Sequence, residues 1–184
     1  HELQDENPYL EDFYKNMDRW AFHSQLFFLS RRMKLYQEMI RHEAPTIIQD
    51  RGIFEDAEIF EKNLHERGHI SDRDHRLYMD VYKEAFDLMP LSGFVVYLKA
   101  SVSTLMKRIA SRGREYEKDI SEQYVSQLND LYDSWIQNFE RYPVLVIEYD
   151  DLNVVSSRKD QKMVEGKIIK ALHAWEQQKL TFSS

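Results

Sequence analysis

The chain has 184 residues, 42% of them hydrophobic and 13% aromatic, with a net charge of −7 and a pI near 5.5. That length and apolar content suit one domain with its own core rather than a disordered tail. The acidic balance argues against a general duplex-binding surface, no apolar run of roughly 18 residues offers a transmembrane helix, and the absence of cysteine excludes disulfide and thiol chemistry.

A cysteine-free chain fits the reducing cytoplasm, the compartment expected here. Five glycines and four prolines are few, which favours long helices and short turns. The chain opens at His1, and the polar stretch to Glu11 carries the breaker Asn7-Pro8. From Asp12 to about Arg41, Phe13, Met17, Trp20, Phe27, Phe28, Met33, Tyr36 and Ile40 recur at helical spacing and predict one or two helices packed on an aromatic side. Pro45 precedes Thr46-Ile47-Ile48-Gln49, a short β-branched run that reads as a buried parallel strand. A helix is predicted from Asp56 to Arg67, stopped by Gly68. Ser71-Asp72-Arg73-Asp74 supplies an N-cap and first-turn acids for a helix to about Leu88.

After a turn at Pro90 to Gly93, Phe94 to Leu98 is the second predicted strand. A helix from Ser101 to Ser111 follows, capped by Ser101 or Ser103. Arg112 to Asp119 is charged and short of apolar anchors, so it is expected to be mobile or a lid. Ser121 to Arg141 is a long amphipathic helix, Val144 to Ile147 a third strand, and Val164 to Gln178 a closing helix. The alternation gives an α/β layer architecture, with a parallel sheet flanked by helices in a single domain spanning 1–184.

Two clusters concentrate chemistry. Asp50-Arg51 ends the first strand, and ligands of open α/β sheets gather beyond the carboxyl ends of strands; the alternative is a surface salt pair. Arg108, Arg112 and Arg114 place three like charges within seven residues, unfavourable in one helical turn unless anions meet them. The alternative there is a solvated patch balanced by Glu115, Glu117 and Asp119. His65-Glu-Arg-Gly-His69 spells the zinc-protease motif, but that motif needs both histidines on one continuous helix, and Gly68 interrupts it.

Taken together, Glu2-Leu-Gln-Asp-Glu-Asn-Pro, Tyr14 with Arg19-Trp-Ala-Phe-His-Ser-Gln25, Asp50-Arg51-Gly with Asp56-Ala-Glu-Ile-Phe60, and Arg108…Arg112-Gly-Arg114-Glu-Tyr-Glu117 resemble the deoxynucleoside kinases. The bacterial deoxyadenosine/deoxyguanosine kinase branch is the most similar. The resemblance implies a P-loop kinase-type three-layer fold, ATP as phosphoryl donor with Mg²⁺, and the 5′-hydroxyl of a purine deoxynucleoside as acceptor, in nucleotide salvage. It implies no nucleic acid polymer and no membrane as partner, and a homodimer or a heterodimer with a related subunit. The phosphate-cradling loop Gly-x-x-x-x-Gly-Lys-Ser/Thr occurs nowhere in the chain. In the family it lies upstream of Glu2, so a βα unit of roughly 30–40 residues, carrying the sheet's central strand, is expected outside this sequence.

The resemblance also assigns roles. Glu2 is the base at the 5′-hydroxyl, although Leu3 stands where the family usually has proline. Arg51 binds the 5′-side oxygens and the moving phosphoryl group, and Asp50 holds Mg²⁺ through water and orients Arg51; Gly52 replaces the more usual serine. Arg108, Arg112 and Arg114 form a lid over the triphosphate, at about 108–119. Glu117 and Tyr14 pin the sugar 3′-hydroxyl. Gln25, Asp56 and Phe60 form the base pocket, with Arg32 reaching Asp56; Arg31 fits the family wording as well, which leaves an ambiguity of one. Tyr14 and Phe60 also read as core aromatics, and Asp150-Asp151-Leu152 resembles the loop beside the donor adenine. Two other functions share parts of the pattern: a non-catalytic partner subunit, which needs no phosphate loop, and a nucleoside monophosphate kinase, which shares the lid arginines but lacks the Gln25/Asp56 pocket.

Overall fold

Asn16 divides the aromatic N-terminal stretch into α1 (Leu10–Lys15) and the long α2 (Met17–Arg41) in the computed structural model, which describes residues 6–41, 46–87 and 93–182. Its side chain restarts the helix by accepting the Arg19 N–H at 3.2 Å, the usual bond at a helix start. After an irregular stretch at 46–49, one continuous helical rod begins as α3 (Ile53–Glu55), widens to a π-helix over Asp56–Glu61 and returns to α-geometry in α4 (Lys62–Glu66). Gly68, at φ 81°, takes the left-handed backbone that ends the rod. Ser71 then caps α5 (Asp72–Asp87), its Oγ accepting the Asp74 N–H at 3.2 Å.

Strand β1 (Val95–Lys99) leads to α6 (Val102–Arg112), capped by Ser101 and closed by Gly113 in left-handed backbone at φ 67°. A 3₁₀ turn over Glu115–Glu117, helix α7 (Glu122–Asn138), strand β2 (Val144–Glu148) and helix α8 (Arg158–Phe182) complete the order. β1 and β2 pair in parallel with Val95 opposite Val144 and Lys99 opposite Glu148, as a strand–helix–strand crossover requires. Among the described residues no helix is long and apolar enough to cross a membrane.

The core lies between the helices. Leu29, Ile53, Phe54, Ala57, Tyr78 and Tyr82 form one buried cluster; Leu10, Phe13, Ala21, Leu64 and Ile70 form a second. α2 contributes to both, because Ala21 and Leu29 lie two turns apart on one face. The predicted helices form, and Phe13 is buried, but the side chains that α2 buries fully are Ala21, Ser24, Gln25, Leu29 and Arg32; Trp20, Phe28, Met33 and Tyr36 are half-buried beside the clusters, and Ile40 is exposed.

The first predicted strand does not form. Residues 46–49 take no regular secondary structure, and the sheet of the described residues has two strands. Ile48 is 94% exposed and Ile47 40%. A β-branched run favours extended backbone, but a strand also needs a neighbour to complete its hydrogen bonds, and no described strand lies beside it. Within Arg112 to Asp119, residues Glu115–Glu117 form the 3₁₀ turn, with Glu117 buried. The closing helix starts earlier than its apolar pattern suggests, at Arg158, where Ser157 accepts the Asp160 N–H at 3.2 Å. Pro45 and residues 88–92 of the predicted turn lie outside the described residues.

Candidate active site

Gln25 and Arg32, seven residues apart on α2, share a helix face and both are buried. The Arg32 guanidinium uses two arms: Nε donates to Asp56 Oδ2 at 3.0 Å, and Nη1 donates to the main-chain oxygen of Asp50 at 3.0 Å. This settles the ambiguity of one, since Arg31 turns outward to Glu6 at 3.4 Å and over the Phe27 ring. Burial pushes the Asp56 carboxyl above its usual range, opposed by the charges of Arg32 and Arg51. The Gln25 Oε1 atom is buried with no hydrogen-bond partner among the described residues, and leaving such an atom unpaired costs about 1–3 kcal/mol.

Asp50 is exposed at the end of the 46–49 run. Arg51 follows in left-handed backbone at φ 55°, and its guanidinium carbon stands 5.1 Å from the centre of the Phe60 ring. Phe60 and Asp56 both ride on the π-helical segment, a widened turn that occurs often at functional sites. Phe60 also meets Tyr132 of α7 edge-on, with ring centres 6.2 Å apart. Arg51, Asp50, Arg32, Asp56 and Phe60 are thus brought together around one loop and one helical turn.

The lid residues spend their charges on each other. Arg112 donates to both oxygens of Glu117, at 3.0 and 2.7 Å, and Arg114 lies 3.8 Å from the same carboxylate. Such a forked pair is stronger than a single contact. Arg108 is not with them. It donates to the carbonyls of Tyr149 and Leu152, at 2.8 and 3.0 Å, and lies 4.3 Å from the Tyr149 ring centre. A guanidinium carries five donors, so the same like-charge crowding that suggested anions is relieved for Arg108 by backbone carbonyls of the loop after β2. Asp150 in that loop accepts the Ser101 N–H at 2.8 Å, and this bond holds its carboxyl below the usual range.

Tyr14 faces a cavity of about 610 Å³, lined also by Met17, Arg67, Glu115, Asp119 and Tyr124, and α1 packs against the turn that carries Glu117. Arg67 lies over the Tyr124 ring, 5.3 Å from its centre. Tyr124 and Tyr132 carry no sequence signal beyond lying on the long amphipathic helix α7, which marks a packed face without saying what else it touches. Glu2 lies outside the described residues. The two histidines of the zinc-like spelling separate: α4 ends at Glu66, His65 lies 2.9 Å from Asp72, and His69 lies 2.5 Å from Asp18.

A family profile described as deoxynucleoside kinase matches residues 1–173. The chain is 33% identical to the deoxyadenosine/deoxycytidine kinase of Bacillus subtilis over 172 residues, covering 92% of this chain and 78% of that protein. It is 29% identical to the deoxyguanosine kinase of the same organism, with 91% and 81% covered. Among solved structures, deoxyadenosine kinase from M. mycoides with the products dCMP and dCDP superposes with a TM-score of 0.78 at 31% identity, covering 92% of this chain and 84% of that one. The same enzyme has been solved with dATP, with a TM-score of 0.74. With the profile spanning nearly the whole chain and these relatives matching both its sequence and its fold, the chain belongs to the deoxynucleoside kinase family, a family of phosphotransferases.

Proposed function

We propose that this protein transfers the γ-phosphoryl group of ATP to the 5′-hydroxyl of a deoxynucleoside, with a preference for purines. The observation that carries this reading is the buried Arg32–Asp56 pair beside Gln25, whose carboxamide oxygen has no partner among the described residues. A carboxamide accepts and donates together, so a nucleobase edge with an amino group next to a ring nitrogen satisfies Gln25 as water cannot in a buried site. Phe60 offers its ring as a stacking surface one turn from Asp56, and the sugar lies toward Tyr14 and Glu117. The relatives are named as deoxyadenosine, deoxycytidine and deoxyguanosine kinases, which supports a base pocket of this kind.

In the reaction, the 5′-oxygen forms a bond to the γ-phosphorus as the bond to the ADP oxygen breaks, and Glu2 takes the hydroxyl proton. Arg51 holds the 5′-side oxygens and the transferring group, where a planar fork matches several oxygens at once. Arg112 and Arg114 leave Glu117 to meet charge on the polyphosphate, while Glu117 turns to the 3′-hydroxyl. Asp50 is a carboxylate exposed beside Arg51, a hard oxygen donor of the type Mg²⁺ prefers through water. Bound Mg²⁺ supplies neutralising charge on the donor phosphates; positioning belongs to the residues named.

An assay coupled to ADP formation, run with ATP and each of the four deoxynucleosides, tests this. The expected result is turnover with deoxyadenosine or deoxyguanosine at a specificity constant above that for thymidine. ATP hydrolysis unaffected by every nucleoside would overturn the assignment and favour the partner-subunit role. Phosphorylation of deoxynucleoside monophosphates in place of nucleosides would favour the monophosphate kinase.

A further inference from the structure

Arg51 is held in a backbone conformation that a residue with a Cβ adopts only when its surroundings impose it: φ is 55°. The run before it, 46–49, joins no ladder, so sheet hydrogen bonds do not supply the restraint. Two side chains do. On one side, Arg32 Nη1 donates to the main-chain oxygen of Asp50 at 3.0 Å; on the other, the Gly52 N–H donates to Glu55 Oε2 at 2.8 Å. The two peptide groups that flank Arg51 are therefore each pinned by a side chain. The packing around the second pin is tight. A Cβ at position 52 would stand 3.2 Å from Glu55 Oε2 and 3.3 Å from the Tyr36 hydroxyl oxygen, so glycine at 52 leaves the room that the Glu55 carboxylate occupies.

We infer that Glu55 is a positioning residue for phosphoryl transfer: with the second arm of Arg32 it clamps the backbone around Arg51 and so keeps the guanidinium over Phe60, beside the base pocket. This rests on the kinase reading above. Arg32 is then shared between two tasks, pairing Asp56 at the base pocket and fixing the loop of Arg51, which ties base recognition to placement of the transferring group. Glu55 serves the second task through the capping-box bond that opens α3, its carboxylate accepting the Gly52 N–H. Its loss should therefore affect turnover more than nucleoside binding.

The test uses the full-length protein with Glu55→Gln, which keeps an acceptor oxygen, and Glu55→Met, which keeps the length but removes the acceptor. Glu55→Met should lower kcat by about tenfold to a hundredfold, the scale of a small misplacement at a reacting centre, with KM for the deoxynucleoside changed less than about threefold. Glu55→Gln should restore kcat to within about threefold of the parent. An unchanged kcat in Glu55→Met, or equal losses in the two variants, would overturn the clamp, as would a rise in KM that accounts for the whole defect. Amide hydrogen exchange at Gly52 reads the same bond without reference to activity: protection should be lost in Glu55→Met and kept in Glu55→Gln. If the parent phosphorylates no nucleoside, the kinase reading fails on its own, and Gly52 exchange still upholds or sinks the clamp.

Discussion

Asp56 and Arg32 are each other's compensation. Both are buried and 3.0 Å apart, so removing Asp56 leaves the Arg32 charge away from water with the Asp50 carbonyl as its remaining partner. Asp56→Ala should cost about 3–5 kcal/mol of stability, the usual penalty for breaking a buried pair from one side, measured by denaturant unfolding. It should also change the ratio of purine to pyrimidine specificity constants, because Arg32 loses the partner that orients it; a constant ratio would remove Asp56 from base selection. Arg51→Ala should leave nucleoside binding measurable by calorimetry and lower kcat by orders of magnitude; unchanged turnover would take Arg51 out of the mechanism. These residues were legible through the resemblance to the family, and local spacing agrees with it: Gln25 and Arg32 lie seven apart along a helix, Asp56 and Phe60 four apart. What spacing could not settle was the choice between Arg31 and Arg32, since adjacent residues differ by about 100° around a helix and only packing against the next element fixes which one faces inward. Glu55 escaped notice for a related reason. Its bond to the Gly52 N–H is a capping box, whose usual wording is blurred here because glycine stands at the N-cap in place of a hydroxyl residue.

At the scale of elements, the turn after α6 and the loop after β2 show how charge runs resist reading. The segment 112–119 carries both signs of charge, and composition alone cannot say which groups pair; the folded chain buries Glu117 against Arg112 and Arg114. Glu117→Ala therefore frees two arginines as well as removing the carboxylate proposed to meet the sugar. It should raise KM for deoxynucleosides more than for their 3′-deoxy analogues, and an equal loss for both would refute the sugar role. The loop after β2 is tied differently, with Asp150 accepting from Ser101 at the start of α6. That hydrogen bond holds the Asp150 pKa down, so the contribution to stability is present above the ordinary carboxylate range and is lost as pH falls through the depressed value. Asp150→Asn should thus lower Tm at pH 7, and the gap between variant and parent should close as pH drops below that range. A gap independent of pH would mean that the Asp150 charge does not matter to the joint.

For the molecule as a whole, the layer order was readable because periodicity changes from helical to strand-like at identifiable stops, while the sheet was read one strand too wide. Thr46 to Gln49 has the composition of a strand, yet β-structure is a property of pairs, and a run with no described neighbour stays irregular chain with Ile48 in solvent. The helical core has the opposite character, since its clusters can be traced from single helices. α2 feeds both clusters, with Ala21 in one and Leu29 in the other, and the 53–66 rod does the same through Ile53 and Leu64. Two clusters joined by two shared rods cannot lose one without uncovering apolar surface of the other, so unfolding should be a single event. Leu29→Ala and Leu64→Ala, at positions with no exposed surface, should each cost about 2–5 kcal/mol from lost burial plus the cavity left behind. In each variant far-UV and near-UV signals should still shift together in one transition. A variant in which one probe melts early while the other keeps the parent midpoint would show that the clusters are separate units, and that α2 does not couple them.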